Sequence, residues 1–211
     1  MLKTVLIIVA VLLLVGIAFF FMIVKGPDVT KYEYLQKPQI TTIPDTNVLA
    51  VSFSTTADGL KEVFGFLFKN YLKIKGVPKM PWKMPSSAAR YDNALDFDME
   101  AEKREATFKN MIWEGVVAIP LPANITNLSE SKHDKLTAKI TTWEYGETAE
   151  ILHIGPYEKE APTVNELKDY IDKQGYEITG LHEEVYLRGP GTLFCKPENY
   201  YTIIRYPVKK K

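Results

Sequence analysis

The stretch TAEILHIGPYEKEAPTVNELKDYIDKQGYEITGLHEEVYL, residues 148–187, decides the fold. Thr148–Ile154 is a predicted β-strand, and Gly155-Pro156 ends that strand. Pro162 then takes a position that the first turn of a helix accepts. This helix keeps its apolar residues on one face, at Val164, Leu167 and Ile171. Two further strands complete the unit, at Ile178–Leu187 and Tyr200–Val208.

The same order of elements occurs earlier in the chain. Asn47–Ser54 predicts a half-buried strand, and Asp58 is the expected N-cap of a helix. The apolar residues of that helix recur at helical spacing, at Leu60, Val63, Phe64, Leu67, Phe68 and Tyr71. Two more strands are expected at Ala88–Asn93 and Met111–Pro120, with a linking strand at Thr137–Tyr145. The prediction is an α+β fold of duplicated strand–helix–strand–strand repeats, with pseudo-twofold symmetry and the helices on one side of an antiparallel sheet.

The first 25 residues differ sharply from the rest. No charged residue lies between Thr4 and Val24, and Lys3 and Lys25 bracket the stretch. A helix of that length is about 31 Å long, and a bilayer core is about 30 Å thick. A cleaved signal peptide is the alternative, but its apolar region has about 7–15 residues and ends at a small-residue cleavage site, which is missing before Lys25.

We therefore expect one transmembrane helix and a single-pass membrane protein. Its parts are an anchor at residues 1–25, a tether with a first strand at 26–46, and a ligand-binding domain at 47–208 with repeats at about 47–120 and 147–208. Lysines on both sides of the anchor leave the membrane side of the domain undecided.

Composition excludes several classes of protein. The chain has 211 residues with 26 basic and 26 acidic side chains, so its charge gives no reason to expect nucleic acid as a partner. Cys195 is the only cysteine, which rules out an intramolecular disulfide and a multi-cysteine metal site. We expect no metal and no cofactor, and the sequence favours a binding protein over an enzyme.

The segment around Glu184 carries the candidate site. His182, Glu184 and Tyr186 share one side of the predicted strand, and the other side, with Leu181, Val185 and Leu187, is expected to pack against a helix. A carboxylate among aromatic side chains is costly unless it is paired, and a cationic ligand would pair it. The structural alternative is an ion pair with Arg205 on the last strand. Elsewhere, Glu158 and Glu160 lie near the positive end of the second helix.

Four segments in order resemble the GyrI-like small-molecule-binding domain, which is also the effector-binding domain of multidrug-responsive regulators. They are Arg90-Tyr-Asp-Asn93, Gly146–Tyr157, His182-Glu-Glu-Val-Tyr-Leu187 and Tyr201–Val208. The resemblance spans roughly residues 30–208. It implies a cleft between the repeats in which Glu184 acts as counter-charge to lipophilic cations. No DNA-binding region precedes the domain, so we do not expect a transcription factor.

The resemblance and the residue pattern together predict a membrane-anchored domain that binds amphipathic small molecules, cationic or aromatic. The candidate ligand-binding residues are Glu184, Tyr186, Tyr91, Trp113, Tyr157, Tyr145 and His182. Some relatives hydrolyse cyclopropanes, so a hydrolase that uses Glu184 is one alternative. An adaptor that binds a protein partner without a small ligand is another. Membrane lipid is expected to contact the N-terminal helix.

Overall fold

A computed structural model describes residues 8, 9, 11–17, 20, 27–93, 99–126 and 131–211. Ten strands in this part of the chain form one large antiparallel sheet. Its strands are β1 Gln39–Ile43, β2 Thr46–Thr55, β3 Ser87–Tyr91, β4 Trp113–Pro120, β5 Ser131–His133, β6 Leu136–Trp143, β7 Gly146–Ile154, β8 Tyr176–Ile178, β9 His182–Arg188 and β10 Tyr201–Lys210. The helices are α1 Leu60–Tyr71, α2 Ala101–Asn110 and α3 Ala161–Lys173, with short 3-10 helices at Thr30–Gln36, Tyr157–Lys159 and Pro197–Asn199.

The strand order shows the predicted duplication. The sheet runs β1-β7-β10-β9-β3-β4-β2-β6-β5, and β8 pairs with the far end of β10. The first unit, β2-α1-β3-β4, and the second unit, β7-α3-β9-β10, therefore lie side by side in mirrored order and meet where β3 pairs with β9. The α+β class and the antiparallel sheet are confirmed.

The sheet is buried on both faces. The helix side of the sheet packs α1 and α3 against alternate strand residues such as Val51, Ala89, Ile151 and Ile204. The opposite face, which we call the back face, carries a second apolar cluster, and residues from the 27–37 segment cover it. Leu35 in the 3-10 helix of that segment is fully buried. Val29 and Leu35 of the predicted tether at 26–46 thus belong to the core of the domain.

This arrangement corrects the predicted orientation of β9. Val185 and Leu187 pack into the back face rather than against a helix. Leu181 precedes the strand and is exposed. The alternation correctly predicted which residues of β9 share a face. The helices, however, pack on the face opposite to the one predicted. His182, Glu184 and Tyr186 consequently lie on the helix side.

The predicted strand Ile178–Leu187 is also interrupted. β8 and β9 are separated by Thr179–Leu181, and the Thr179 amide donates to the Pro207 carbonyl at 2.9 Å. Gly180 lies so close to the ring of Pro207 that an added Cβ would stand 2.8 Å from its Cγ. The chain turns here because only glycine allows that approach.

Two helix predictions need correction. Gly59, not Asp58, occupies the N-cap of α1, and no side chain caps that helix. Helix α2 lies in a charged stretch for which no helix was predicted, because its sequence lacks an apolar stripe. Gly175 follows the end of α3 with φ +72°, as expected for a residue that ends a helix in the left-handed conformation.

The predicted membrane anchor falls largely on residues outside the described ranges. Its described part, residues 8, 9, 11–17 and 20, is helical, with exposed apolar side chains. No helix formed by the described residues is both long and apolar enough to cross a bilayer.

Candidate functional site

The candidate site lies where the two units meet, between β3 and β9. Ala89 pairs with Glu184, and Tyr91 pairs with His182. The small side chain of Ala89 leaves room for a carboxylate opposite it on the helix side of the sheet. The junction therefore places polar groups from the second unit beside an aromatic residue of the first.

Three buried side chains, Glu160, His182 and Glu184, form the acid–histidine cluster. His182 Nε2 lies 3.1 Å from Glu184 Oε1 and 4.0 Å from Glu160 Oε1. The other ring nitrogen, Nδ1, shares a 2.9 Å hydrogen bond with the hydroxyl of Tyr206 on β10. All three cluster members are less than a tenth exposed, so their charges interact with little screening by water.

Glu160 brings a second carboxyl group to the cluster from the N-terminus of α3. It occupies the N-cap position, but its side chain makes no capping bond. Burial, together with the neighbouring Glu184, raises the pKa of the Glu160 carboxyl well above its ordinary value of 4.5, and Arg104 offsets part of that rise. Its Oε2 atom is buried and finds no hydrogen-bond partner among the described residues. Glu160 therefore holds its proton more readily than an exposed glutamate.

Tyrosines line the cluster on the helix side, and we call Tyr91, Tyr157 and Tyr186 the tyrosine wall. The hydroxyls of Tyr91 and Tyr186 are 2.6 Å apart. The Tyr186 ring meets Phe64 and Tyr157 edge to face, with centroid separations of 5.5 and 5.7 Å. Burial, followed by the charge of Glu184, raises the pKa of both Tyr91 and Tyr186 well above 10. These phenols thus stay neutral at physiological pH, and because one of them donates to the other, the O–H of only one of the pair can donate to a further acceptor.

Trp113 forms a second layer behind this wall. Its ring lies 5.3 Å from that of Tyr91, and its indole N–H donates to the Phe108 carbonyl at 3.1 Å. The predicted residues Glu184, Tyr186, Tyr91, Tyr157 and His182 are thus brought together, with Trp113 one layer away. Their role in ligand binding stays a prediction.

Tyr145 is not part of this group. Its hydroxyl donates to Glu183 Oε1 at 3.1 Å on the back face of the sheet. Glu183 also accepts from Arg90 Nε at 2.8 Å and from Arg205 Nη1 at 3.3 Å. We call Glu183, Arg90 and Arg205, with Tyr145, the back-face ion cluster. The structural alternative for Glu184 is therefore wrong, because Arg205 pairs with Glu183 and Glu150 across the sheet from it.

His153, one residue before the end of β7, is also buried. Its ring nitrogens lie 3.0 Å from the Thr163 hydroxyl and 3.2 Å from the Pro156 carbonyl oxygen. Burial lowers the pKa of this imidazole. The ring therefore joins the end of β7 to the start of α3, the helix that carries Glu160.

The fold and the site define an α+β domain with a buried, ionisable junction between two like units. Residues 125–209 match the family model of the GyrI-like small molecule binding domain. This match covers the second unit with β5 and β6, and the structural neighbours extend the likeness over the first unit. Residues 125–209 are thus similar to this family, and the neighbours show that the fold is alike over the first unit as well.

Three solved structures represent these neighbours. An uncharacterized conserved protein from Listeria innocua is 20% identical, with a TM-score of 0.61 over 86% of this chain and 99% of that one. A hydrolase from Listeria innocua is 17% identical, with a TM-score of 0.58 over 87% and 100% of the two chains. The C-terminal domain of EcmrR is 17% identical, with a TM-score of 0.55 over 83% and 98%. No curated protein matches the sequence. At these identities the structural likeness establishes the fold.

Proposed function

We propose that the protein binds a cationic amphipathic small molecule at the acid–histidine cluster, between its two units. The observation that carries the proposal is the pair of buried carboxyl groups, Glu160 and Glu184, whose Oε1 atoms lie 4.0 and 3.1 Å from His182 Nε2. Two carboxyl groups beside one imidazole favour a cation over an anion as the ligand. A buried carboxylate without a matching cation is unfavourable, so a cationic ligand gains affinity by neutralising it.

The tyrosine wall supports the same class of ligand. Aromatic faces attract cations and bury apolar groups at the same time. Tyr186 and Tyr157 are partly exposed, whereas Tyr91 is buried, so solvent reaches the wall at its Tyr157 end. Tyr157 lies on the short 3-10 helix that links β7 to α3. We propose that a ligand enters beside this residue and reaches Glu184 along the Tyr186 ring.

Paired ligands test the proposal. A benzyl trialkylammonium compound and its neutral tert-alkyl analogue are titrated into the full chain in EDTA-containing buffer, with tryptophan fluorescence and calorimetry as readouts. We expect saturable binding of the cation, at least tenfold weaker binding of the neutral analogue, and loss of this preference in Glu184→Gln. Glu177→Gln, an exposed glutamate on β8, is the matched control. Equal binding of both ligands, or an unchanged preference in Glu184→Gln, would refute the proposal.

Hydrolysis of a strained small molecule is a second candidate function. The observation in its favour is the raised pKa of Glu160 beside a second carboxyl group, because a protonated and an ionised acid divide the roles of proton donor and base. In this proposal Glu184 activates water and Glu160 protonates the departing carbon, with no metal needed.

Mass spectrometry after incubation with a cyclopropane-bearing electrophile measures this activity. The expected product has gained one water molecule, and Glu160→Gln should abolish turnover. Unchanged substrate after prolonged incubation with the wild-type chain would exclude this substrate class. If neither ligand nor substrate is recognised, the adaptor hypothesis is the one left to test.

We also propose that Thr4–Val24 anchors the protein in a membrane. The support is the uncharged composition of the stretch and the exposed apolar side chains of its described helical residues. Each lysine at the centre of a spanning helix costs about 2.5–3.5 kcal/mol. The double substitution Leu12→Lys and Val15→Lys should therefore release the full chain from carbonate-washed membranes. Retention of the variant in the membrane pellet would contradict the anchor.

A further inference from the structure

The acid–histidine cluster has the donor set and spacing of a metal site. A transition metal bound to imidazole nitrogen and carboxylate oxygen at about 2.0–2.2 Å holds adjacent ligand atoms about 3–3.5 Å apart. His182 Nε2 is already 3.1 Å from Glu184 Oε1 and 4.0 Å from Glu160 Oε1. One ligand atom from each residue lies within 4.8 Å of the others. A shift of a few tenths of an ångström to about 1 Å at the carboxylates completes three metal–ligand bonds.

Tyr206 fixes the histidine for this role. Its hydroxyl lies 2.9 Å from His182 Nδ1, which directs the opposite nitrogen, Nε2, at the two carboxyl groups. Metal-binding histidines are generally oriented by a partner at their second nitrogen. The Tyr206 hydroxyl oxygen can accept a hydrogen bond from an Nδ1–H group. In that tautomer the unprotonated nitrogen is Nε2, the one that faces the two carboxyl groups.

Glu160 supplies an independent observation. The side chain is 4% exposed, and its Oε2 is buried with no hydrogen-bond partner among the described residues. Leaving a buried polar atom unsatisfied is costly, and native structures contain few such atoms. A metal bound by this carboxylate would supply the missing partner.

We propose that Glu160, His182 and Glu184 bind a divalent transition metal ion, with Zn²⁺ as the best match. One imidazole and two carboxylates are a donor set that Zn²⁺ accepts, and Mg²⁺ and Ca²⁺ disfavour imidazole. Binding releases to solvent the protons that these three side chains hold. The three protein ligands leave a fourth position for water or for a donor atom of a small molecule. This inference goes beyond the proposed function, because the ion is a different occupant and requires no organic ligand.

Zinc alone tests the inference. The full chain is stripped with EDTA, dialysed, and titrated with ZnSO₄ in competition with a chromophoric chelator. We expect one equivalent of Zn²⁺ per chain. Glu160→Gln and His182→Gln should each weaken binding at least 100-fold. Tyr206→Phe should weaken it about tenfold, because removing a partner that orients a ligand has effects of that size. His133→Gln, an exposed histidine on β5, is the matched control and should bind as the wild type does.

Thermal unfolding distinguishes variants that lose Zn²⁺ binding from variants that fold poorly. Zn²⁺ should raise the Tm of the wild type and of His133→Gln, but not that of Glu160→Gln, because only a bound ligand shifts the folding equilibrium. Co²⁺ should also give visible absorption bands that disappear in His182→Gln. The inference would be overturned if the folded wild type did not bind one equivalent of Zn²⁺. It would also be overturned if His182→Gln and His133→Gln lost Zn²⁺ affinity equally. The ammonium titration contains EDTA, so organic-cation binding without Zn²⁺ binding would defeat the metal site and leave the proposed function standing.

Discussion

Adjacent glutamates on β9 meet opposite environments across the sheet. Glu183 points to the back face, where Arg90 and Arg205 donate to it at 2.8 and 3.3 Å. Glu184 points to the helix side, where it lies 3.1 Å from His182 and near a second acid, Glu160. Both glutamates are buried, but two permanent cations surround the first, whereas an imidazole and another carboxyl group surround the second.

From this difference we expect a structural role for Glu183 and a ligand-binding role for Glu184. Arginine stays protonated in proteins, so the back-face ion cluster keeps its charge over the physiological pH range. It also links the units, because Arg90 lies on β3 and Arg205 on β10. The acid–histidine cluster has no such permanent cation among its three members. We therefore expect substitutions on the back face to act on stability, and those on the helix side to act on binding.

Glu183→Gln should have the largest effect on stability. The change leaves Arg90 and Arg205 facing a neutral amide, and breaking a buried ion pair typically costs about 3–5 kcal/mol. Because both arginines are 19% exposed, we expect the lower end, about 3 kcal/mol, in urea unfolding. The m-value should not change. A loss under 1 kcal/mol would show that the back-face ion cluster is not what holds the units together.

Glu184→Gln should show the opposite pattern. The amide keeps the size of the side chain and an oxygen that can accept from His182, so stability should change by less than about 1 kcal/mol. Affinity for the benzyl trialkylammonium probe should fall about 10- to 100-fold, which calorimetry measures directly. If Glu184→Gln destabilises as strongly as Glu183→Gln, the contrast between the two faces disappears.

Most of the fold follows from local sequence patterns. Alternation in β2 and helical spacing in α1 and α3 are properties of neighbouring residues, so the duplicated units could be recognised before the structure. The alternation of β9 did not show which face meets the helices. Both faces of the sheet are apolar and buried, and the back face is closed by Leu35 and its neighbours rather than by a helix of either unit.

The site could be predicted only in part, because its members come together over long sequence separations. Glu184 was found because it lies between His182 and Tyr186 on one strand. Glu160 was noted only as an acid near the positive end of α3, and its burial against β9 depends on tertiary packing. Tyr145 was assigned to the site because aromatic residues look alike in sequence. Its partner Glu183, one residue from Glu184, has the opposite orientation.

The pH dependence of stability sharpens the comparison on the helix side. The pKa of Glu160 is raised in the folded state above its ordinary value of 4.5, so between these two values the folded chain binds more protons than the unfolded one. Stability contributed by this group is therefore lost as pH rises above 4.5, with a slope of at most about 1.4 kcal/mol per pH unit.

Glu160→Gln removes this titration. The unfolding free energy of the variant, measured in urea without metal, should rise relative to the wild type as pH increases from 4.5 towards neutrality. Glu177→Gln serves as the exposed control and should follow the wild-type profile. If the unfolding free energies of the wild type and of Glu160→Gln changed in parallel with pH, Glu160 would have the same pKa in the folded and unfolded chains.

Tyr145→Phe and Tyr186→Phe compare the two faces with the smallest chemical change. Each removes one hydroxyl: that of Tyr145 donates to Glu183, and that of Tyr186 lies 2.6 Å from Tyr91. Each loss should cost about 1 kcal/mol of stability in urea unfolding. Binding separates the two variants, because the Tyr145 hydroxyl lies on the back face and its loss should leave ammonium affinity unchanged. Tyr186→Phe should alter that affinity several-fold, since its hydroxyl belongs to the wall beside Glu184. Equal effects of the two variants on binding would place the ligand outside the tyrosine wall, since a remote ligand would sense neither hydroxyl.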